Sequence, residues 1–284
     1  MSTTRPTASG PGTDVVSVFV SDGPLVPYDA GKPSVARGCD YALGGKDNFA
    51  VDRELHAEVL EIFPLAAVLP WENRQFLARA VGYVARQGVT QFIDVGAGMP
   101  TSPATHELAG AACPEARVAY VDNDPVVIAH AAALLASPGR VAAVPGDVRC
   151  PGDILASPAL TALIDTGRPF CLILAVVLDH VAPARAAGIM AAFRDAMPAG
   201  SFLVLSIGMN NNTPDLAQDV IKAYRAAPVH LHSREQVAGY FAGLEIVEPG
   251  LTEARHWRPA KRLAGDGPRP ADLLAGVGRK ASRG

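Results

Sequence analysis

Charged residues are scarce in this sequence, and they do not form clusters along it. Lys, Arg, Asp and Glu make up 19% of the 284 residues, and the formal net charge is -3. Proteins that bind duplex nucleic acid usually present a cluster of Lys and Arg to the phosphates. We therefore expect no nucleic-acid partner. Hydrophobic residues make up 49% of the chain, which is enough for a sizeable folded core.

Long apolar runs are also missing. The longest, residues 170–178, is far shorter than the roughly 18 residues that a membrane-spanning helix needs. The first residues lack a basic stretch followed by an apolar one, so we expect no secretory signal. Only four cysteines occur and none forms a C-x-x-C pair, which favours reduced thiols. These absences predict a cytoplasmic chain with no membrane partner.

The pattern of residues divides the chain into three parts. Residues 1–32 are rich in Ser, Thr, Gly and Pro and predict a flexible tail, in which residues 15–20 suit an edge strand or a β-arm. Residues 33–90 predict an N-terminal helical cap, because apolar residues recur at helical spacing up to a last helix over 72–86. Pro64 and Pro70 should break this cap into shorter helices. Residues 91–284 alternate between short apolar runs and helical stretches.

The third part predicts a doubly wound α/β domain. We expect strands at residues 91–95, 117–121, 141–144, 170–178, 201–207, 244–247 and around 276–278. Helix starts are indicated where Ser102, Asp124, Ser157 and Thr213 each precede a proline, and where Ser233 and Gln236 form a capping box. Strands that alternate with helices give a mostly parallel sheet covered on both faces. Ligands bind such sheets at the carboxyl ends of the strands.

A glycine-containing turn follows the first of these strands. Asp94 lies near the strand end, and Gly96 and Gly98, with Ala97 between them, allow the backbone to turn sharply and approach a ligand closely. Thr101 stands where a dinucleotide-binding fingerprint would have its third glycine. The turn alone is a weak signal, because an ordinary strand-to-helix loop can contain the same residues.

Acidic residues at three successive strand ends strengthen this signal. The carboxylate of Asp94 can hold an ammonium group, directly or through water. Asp122, followed by Asn123, ends the second strand, where a carboxylate can accept hydrogen bonds from both ribose hydroxyls. Asp147 follows the third strand and can accept a hydrogen bond from an adenine amino group, while the N–H of Val148 reaches a ring nitrogen. Each acid alone is more often a surface residue or a helix cap, but together they indicate an adenosyl ligand.

Resemblance to a known family rests first on the stretches FIDVGAGMPTSPATHELA and VAYVDNDPVVIAHAAALLAS. These stretches resemble a bacterial family of S-adenosyl methyltransferases, as do PSVARGCDYALGGKDNFAVDRELHAEVL, ENRQFLARAV and GVGRK, so the likeness covers residues 33–280. The resemblance implies the class I methyltransferase fold, a Rossmann-like seven-stranded sheet whose last two strands form an antiparallel hairpin. It also implies S-adenosyl-L-methionine as the cofactor, but no particular substrate. Cys39 and the position of His180 depart from the family pattern, so no catalytic role is carried over.

Methyl transfer depends on aligning an acceptor with the sulfonium methyl, and it needs a base only when the acceptor must lose a proton. Asp179 and His180 follow the fourth predicted strand, beside the expected methyl group. His180 suits base catalysis or else orients the loop. The helices before the sheet should cover the cleft, which would bring Tyr41 and residues 46–49 near the ligands and Arg74 to the cofactor carboxylate. An exposed turn and a solvated arginine are the alternatives.

Function stays open among three classes. The leading hypothesis is a methyltransferase acting on a small-molecule acceptor. A non-catalytic binder of S-adenosylmethionine, acting as a sensor or partner subunit, fits the absence of a clear base. An NAD(P)-dependent oxidoreductase is opposed by Thr101, Asp94 and Asp147. The sequence leaves a homodimer open, and we expect no metal, because His230 and His232 lack a clear third ligand.

Overall fold

The computed structural model describes residues 15–18, 26–210, 214–260 and 271–281. The strands among them are β1 (Val15–Val18), β2 (Val26–Asp29), β3 (Gln91–Val95), β4 (Arg117–Asp122), β5 (Val141–Pro145), β6 (Cys171–Ala175), β7 (Phe202–Asn210), β8 (Glu245–Ile246), β9 (Thr252–Glu253) and β10 (Ala271–Arg279). The helices are α1 (Val35–Ala42), α2 (Ala50–Ile62), α3 (Leu69–Arg86), α4 (Thr105–Gly110), α5 (Pro125–Leu134), α6 (Pro151–Ala156), α7 (Pro158–Thr161), α8 (Pro183–Ala196), α9 (Pro214–Ala223) and α10 (Arg234–Tyr240). Short 3₁₀ turns occupy Pro64–Ala67, Leu178–His180 and Ala254–His256.

The main sheet has the strand order β5-β4-β3-β6-β7-β10-β8, and the short β9 also pairs with β10. Strands β3 to β7 are parallel, whereas β10 runs antiparallel to β7, β8 and β9. The order reverses between β3 and β6, which is where doubly wound sheets bind ligands. This topology confirms the predicted class I methyltransferase fold, with β9 as one strand more than the seven expected.

Helices cover both faces of the sheet. One apolar cluster packs between the sheet and α6, α7 and α8, and it includes Phe170 and Phe193. The other packs between the sheet and α3, and it includes Phe76 and Trp257. Every residue of β3 is buried, as are the first four of β6. Burial on two sides explains why these strands are apolar throughout instead of alternating.

Strand β6 is shorter than the strand predicted over residues 170–178. It ends at Ala175, because Val176 has a φ of 52°, a left-handed conformation that cannot continue an extended strand. The chain then forms the turn Leu178–His180. A β-branched residue seldom adopts this conformation, and such strained positions cluster at functional sites. Val176 thus lies at the carboxyl edge of the sheet, three residues before Asp179.

Helix α3 belongs to the sheet rather than to the cap. It begins at Leu69, with Pro70 in its first turn, where a proline does not interrupt a helix. Its buried side, which includes Phe76 and Val84, packs on β6, β7 and β10. The cap in the structure therefore consists of α1 and α2, whereas the sequence had placed all of residues 33–90 in it.

The helix start signals are largely confirmed. A proline follows the cap residue at the starts of α5 and α7, and Ser233 caps α10. Helix α9 also begins at its proline, although the residue before it lies outside the described part of the chain. The predicted start at Ser102 is wrong. Helix α4 begins at Thr105 instead, because the side chain of Glu107 accepts a hydrogen bond from the Ala104 N–H at 2.6 Å.

The N-terminal segment forms a separate β-arm in the part that is described. Strands β1 and β2 pair antiparallel with each other, with Val16 opposite Tyr28, and do not join the main sheet. Residues 1–14 and 19–25, which belong to the predicted flexible tail, lie outside the described residues.

Candidate active site

A cavity of about 820 Å³ opens at the carboxyl edge of the sheet, where the strand order reverses. Its volume lies within the usual range of ligand-binding pockets. The ends of β3 to β7 form one side of the cavity. The other sides are formed by α1, α2, the start of α3, α9, residues 226–229 and Leu231. The structure brings together on this lining the predicted residues Arg74, Asp94, Gly96, Ala97, Gly98, Asp122, Asn123, Asp147, Val148, Asp179 and His180.

The turn after β3 needs glycine at two positions for different reasons. Gly96 has a φ of 72°, and a Cβ there would lie 2.4 Å from Cγ2 of Val177. Gly98 has a φ of 67°, but a Cβ there would meet nothing within 4 Å. The backbone N–H groups of Gly96 and Ala97 donate to the carbonyl of Val121 on β4, at 2.8 and 3.2 Å. The turn is thus fixed to β4 and leaves open space beside Gly98.

Asp94 is a buried carboxylate at the floor of the cavity. Its Oδ2 accepts a hydrogen bond from the hydroxyl of Thr105 at 2.7 Å. Burial raises the pKa of Asp94 to about 6, and the nearby guanidinium of Arg74 acts in the opposite direction. Arg74 itself donates a hydrogen bond to the carbonyl of Pro103. Sequence reasoning missed Thr105, because a threonine in the first turn of a helix has no distinctive signature.

Asp122 organises the turn as well as facing the cavity. Its Oδ2 accepts from the Gly98 N–H at 3.0 Å, and its Oδ1 accepts from the Asp124 N–H at 2.9 Å. Burial raises its pKa. Each carboxylate oxygen can accept a second hydrogen bond, so the residue keeps capacity for two ligand hydroxyls.

The negative charge of Asp147, after the end of β5, is balanced by a neighbouring arginine. The guanidinium of Arg149 contacts both carboxylate oxygens, with Nε 2.8 Å from each. These bonds lower the pKa of Asp147, and a hydrogen bond from the Asn123 side chain adds to the effect. Gly146 precedes it where a Cβ would lie 2.8 Å from Cγ1 of Val121, so no larger residue fits without a shift. The carboxylate therefore stays ionised and can accept a further hydrogen bond.

The LGGKDNF motif folds as an ordered turn around Asp40. The Asp47 N–H and the Asn48 side-chain amide both donate to Oδ2 of Asp40 at 2.9 Å. A Cβ on Gly45 would lie 1.9 Å from Oδ1 of Asp40, so a larger residue there would displace this carboxylate from its two donors. Asp40 lines the cavity. Tyr41 and residues 46–49, which are also in the described part of the chain, do not.

Tyr41 does not reach the cavity. Its ring packs edge to face against His56, with 5.3 Å between the ring centroids, and more than a third of the residue is exposed. The helical period explains the difference, because neighbouring positions on α1 point about 100° apart and Asp40 takes the inward position. We therefore leave Tyr41 out of the site.

A buried ion pair holds the two cap helices together. Nε of Arg37 lies 2.7 Å from Oδ2 of Asp52, and both side chains are almost fully buried. Asp52 Oδ1 also accepts from the Ser34 N–H at 2.8 Å, and the Ser34 hydroxyl donates to Oδ2 of Asp124 at 3.0 Å. A chain of hydrogen bonds thus runs from the cap to Asp124, two residues after Asp122.

Asp179 and His180 lie beside the cavity after β6. The Asp179 carboxylate accepts from the Gly208 N–H at 3.0 Å, and burial raises its pKa to about 7. The ring of His180 stacks on Tyr224, and its Nδ1 lies 2.9 Å from the carbonyl of Pro228. Burial lowers the pKa of His180, which favours the neutral imidazole.

His232 has a structural environment rather than that of a metal ligand. Nδ1 of His232 lies 2.6 Å from the hydroxyl of Tyr240, and Nε2 lies 3.1 Å from the carbonyls of Leu178 and Val181. Across the described residues no three His, Cys, Asp or Glu side chains cluster as a metal site would require. Within the same part of the chain, none of the helices combines the length and apolar character needed to cross a bilayer.

Comparison with known proteins agrees with this geometry. A family model described as S-adenosyl methyltransferase matches residues 25–281. A solved protein from Thermobifida fusca with a provisional methyltransferase assignment is 36% identical, with a TM-score of 0.84 over 88% of this chain and 96% of that one. A DUF574 family protein from Streptomyces avermitilis is also 36% identical, with a TM-score of 0.82 over 88% and 98% of the two chains. No match was found among the curated proteins.

Proposed function

Since the chain belongs to the S-adenosyl methyltransferase family, we propose that it binds S-adenosyl-L-methionine and transfers the methyl group to a small-molecule acceptor. The observation that carries the proposal is the placement of Asp94, Asp122 and Asp147 around one cavity, with the Gly96–Gly98 turn between them. These residues fit the cofactor. Their carboxylates can accept hydrogen bonds from an ammonium group, two ribose hydroxyls and an amino group. The open space beside Gly98 admits a ligand close to the backbone.

Each residue has a distinct task in this proposal. Asp94 accepts hydrogen bonds from the cofactor ammonium, and Arg74, which lines the same end, pairs with its carboxylate. Asp122 accepts from the ribose hydroxyls, and Asp147 accepts from the adenine amino group while the Val148 N–H faces the ring. When bound, the cofactor supplies an electrophilic methyl group on a sulfonium, so the protein need not activate it.

The cap is proposed to keep water from the reacting groups. Helices α1 and α2 line the cavity and are fixed by the buried pair Arg37–Asp52. Excluding water strengthens the electrostatic contacts inside and holds the acceptor in line with the methyl group. We also propose a cytoplasmic location, which suits the four free cysteines of the structure.

Ligand-dependent unfolding tests this function. The melting temperature Tm should rise with S-adenosylmethionine and S-adenosylhomocysteine and not with NAD. A ligand at a hundred times its Kd adds about 2.7 kcal/mol, which is a shift of several degrees for a chain of this size. In Asp122→Ala both shifts should shrink, because a bond to a charged group contributes about 1.5–3 kcal/mol.

The matched control is Asp153→Ala, which removes an exposed carboxylate on α6 outside the cavity lining. Its Tm shifts with the two ligands should equal those of the unmodified protein. A shift with NAD alone would overturn the proposal. Equal shifts in Asp122→Ala and the original protein would remove Asp122 from the cofactor site. Formation of S-adenosylhomocysteine with an acceptor then separates an enzyme from a sensor that only binds.

A further inference from the structure

The cavity extends well beyond the residues assigned to the cofactor. The walls of its far part, which we name the acceptor end, are α2, Phe63, α9, residues 226–229 and Leu231. The α2 wall contributes Leu55 and Val59, and the α9 wall contributes Val220 and Ile221. These side chains are apolar, and burying a ring or a short aliphatic chain against them is favourable.

Positive charge is confined to the opposite end. Two arginines line the described cavity, and no lysine does. Arg149 is paired with Asp147, and Arg74 lies beside Asp94 and bonds the carbonyl of Pro103. Two histidines, His56 and His180, face the acceptor end, but burial lowers the pKa of both imidazoles. An anionic group at the acceptor end would therefore lie in an apolar site without a countercharge.

The carboxylates that line the cavity beside the three cofactor acids differ in their partners. Asp52 is paired with Arg37, and Asp40 accepts hydrogen bonds from two donors of the cap turn. Asp272 lies 3.4 Å from Nε of Arg255, so its charge has a partner although its Oδ2 accepts no hydrogen bond. Asp179 has the Gly208 N–H as its hydrogen-bond donor, and no Lys or Arg of the described chain forms an ion pair with it. Its carboxylate faces the cavity with capacity for more hydrogen bonds.

We propose that the acceptor is an amine on a small apolar skeleton, and that Asp179 binds its N–H and takes its proton. This inference rests on the proposed methyl transfer. The acceptor binds as an ammonium ion, and one of its protons passes to the Asp179 carboxylate. The nitrogen lone pair that this frees forms the new bond to the methyl carbon, the carbon–sulfur bond breaks, and its electron pair stays on sulfur as the thioether. The product is the methylated ammonium ion, so charge and atoms balance.

Three probes with one skeleton test the charge preference of the pocket. They are 2-phenylethylamine, 2-phenylethanol and phenylacetate, titrated by calorimetry into protein saturated with S-adenosylhomocysteine, which cannot donate a methyl group. The amine should bind at least about tenfold more tightly than the carboxylate, and more tightly than the alcohol, since charged hydrogen-bonded pairs are the stronger ones. In Asp179→Asn the amine should lose about tenfold in affinity.

The control is Asp195→Asn, an exposed carboxylate on α8 outside the cavity lining, which should keep the ranking of the original protein. Tighter binding of phenylacetate or of the alcohol, absence of saturable binding by any probe, or an unchanged ranking in Asp179→Asn would each overturn the inference. The ranking in the unmodified protein decides alone if the variant does not fold. Failure to bind S-adenosylhomocysteine would instead overturn the proposed function.

Discussion

Two glycines two positions apart meet different surroundings, although both have positive φ. Ala at position 96 places its Cβ 2.4 Å from the Val177 side chain, whereas Ala at position 98 meets nothing within 4 Å. The left-handed conformation costs both variants about 1–2 kcal/mol, and overpacking adds about 1–3 kcal/mol in Gly96→Ala. Thermal unfolding without ligand should show a Tm loss of several degrees more for Gly96→Ala than for Gly98→Ala. Equal losses would mean that Val177 moves aside freely.

The residues assigned to the cofactor could be predicted from the sequence because of where they lie along it. Asp94, Asp122 and Asp147 each follow a strand that the apolar pattern identifies, and the structure places all three on one cavity. Thr105 and Asp40 could not be found this way. Their roles depend on which side chains meet after folding, and a single threonine or aspartate in a helix carries no such information.

At the scale of elements, the cap depends on one buried ion pair. Arg37→Met leaves the Asp52 charge without its partner, and breaking a buried pair from one side costs about 3–5 kcal/mol. We expect a lower Tm and faster protease cleavage within α1 and α2. Intact-mass spectrometry of the digested protein measures this cleavage. Arg185→Met, which removes an exposed arginine from α8 outside the cap, should stay close to the unmodified protein. Similar cleavage of the two variants would show that the pair does not hold the cap.

Element boundaries were predictable where local chemistry sets them. The apolar run of β3 and the proline-led starts of α5 and α7 agree with the structure. The strand over residues 170–178 was too long, because hydrophobicity does not reveal that Val176 takes a left-handed conformation. Helix α3 was assigned to the cap because its amphipathic pattern shows that one side is buried, but not which element buries it.

At the scale of the whole molecule, two carboxylates with raised pKa values make the stability depend on pH. Burial raises the pKa of Asp94 to about 6 and that of Asp179 to about 7, so in this range the folded chain binds more protons than the unfolded chain. The contribution of these groups to the free energy of unfolding therefore falls as pH rises from about 4 to about 7. Cys39 and Tyr224, which interact with Asp179, stay neutral because their own pKa values are raised.

The test compares Tm at pH 5 and pH 8 without ligand. Asp179→Asn should lose less stability between these pH values than the unmodified protein, by on the order of 2 kcal/mol. Asp195→Asn serves again as the exposed control. An identical pH profile for Asp179→Asn and the unmodified protein would show that Asp179 titrates normally.

The contact between Gly45 and Asp40 has a consequence for how such a chain can diverge. A side chain at position 45 would place its Cβ 1.9 Å from the Asp40 carboxylate, and a change of Asp40 would remove the acceptor for the Asp47 N–H and the Asn48 amide. Either change would therefore disturb the cap turn. The apolar walls of α2 and α9 carry no such constraint, since hydrophobic side chains of similar volume replace one another at little cost. Duplicated copies of this chain would therefore keep the turn unchanged while exchanging wall residues, and selection could retune the acceptor without rebuilding the cover over it.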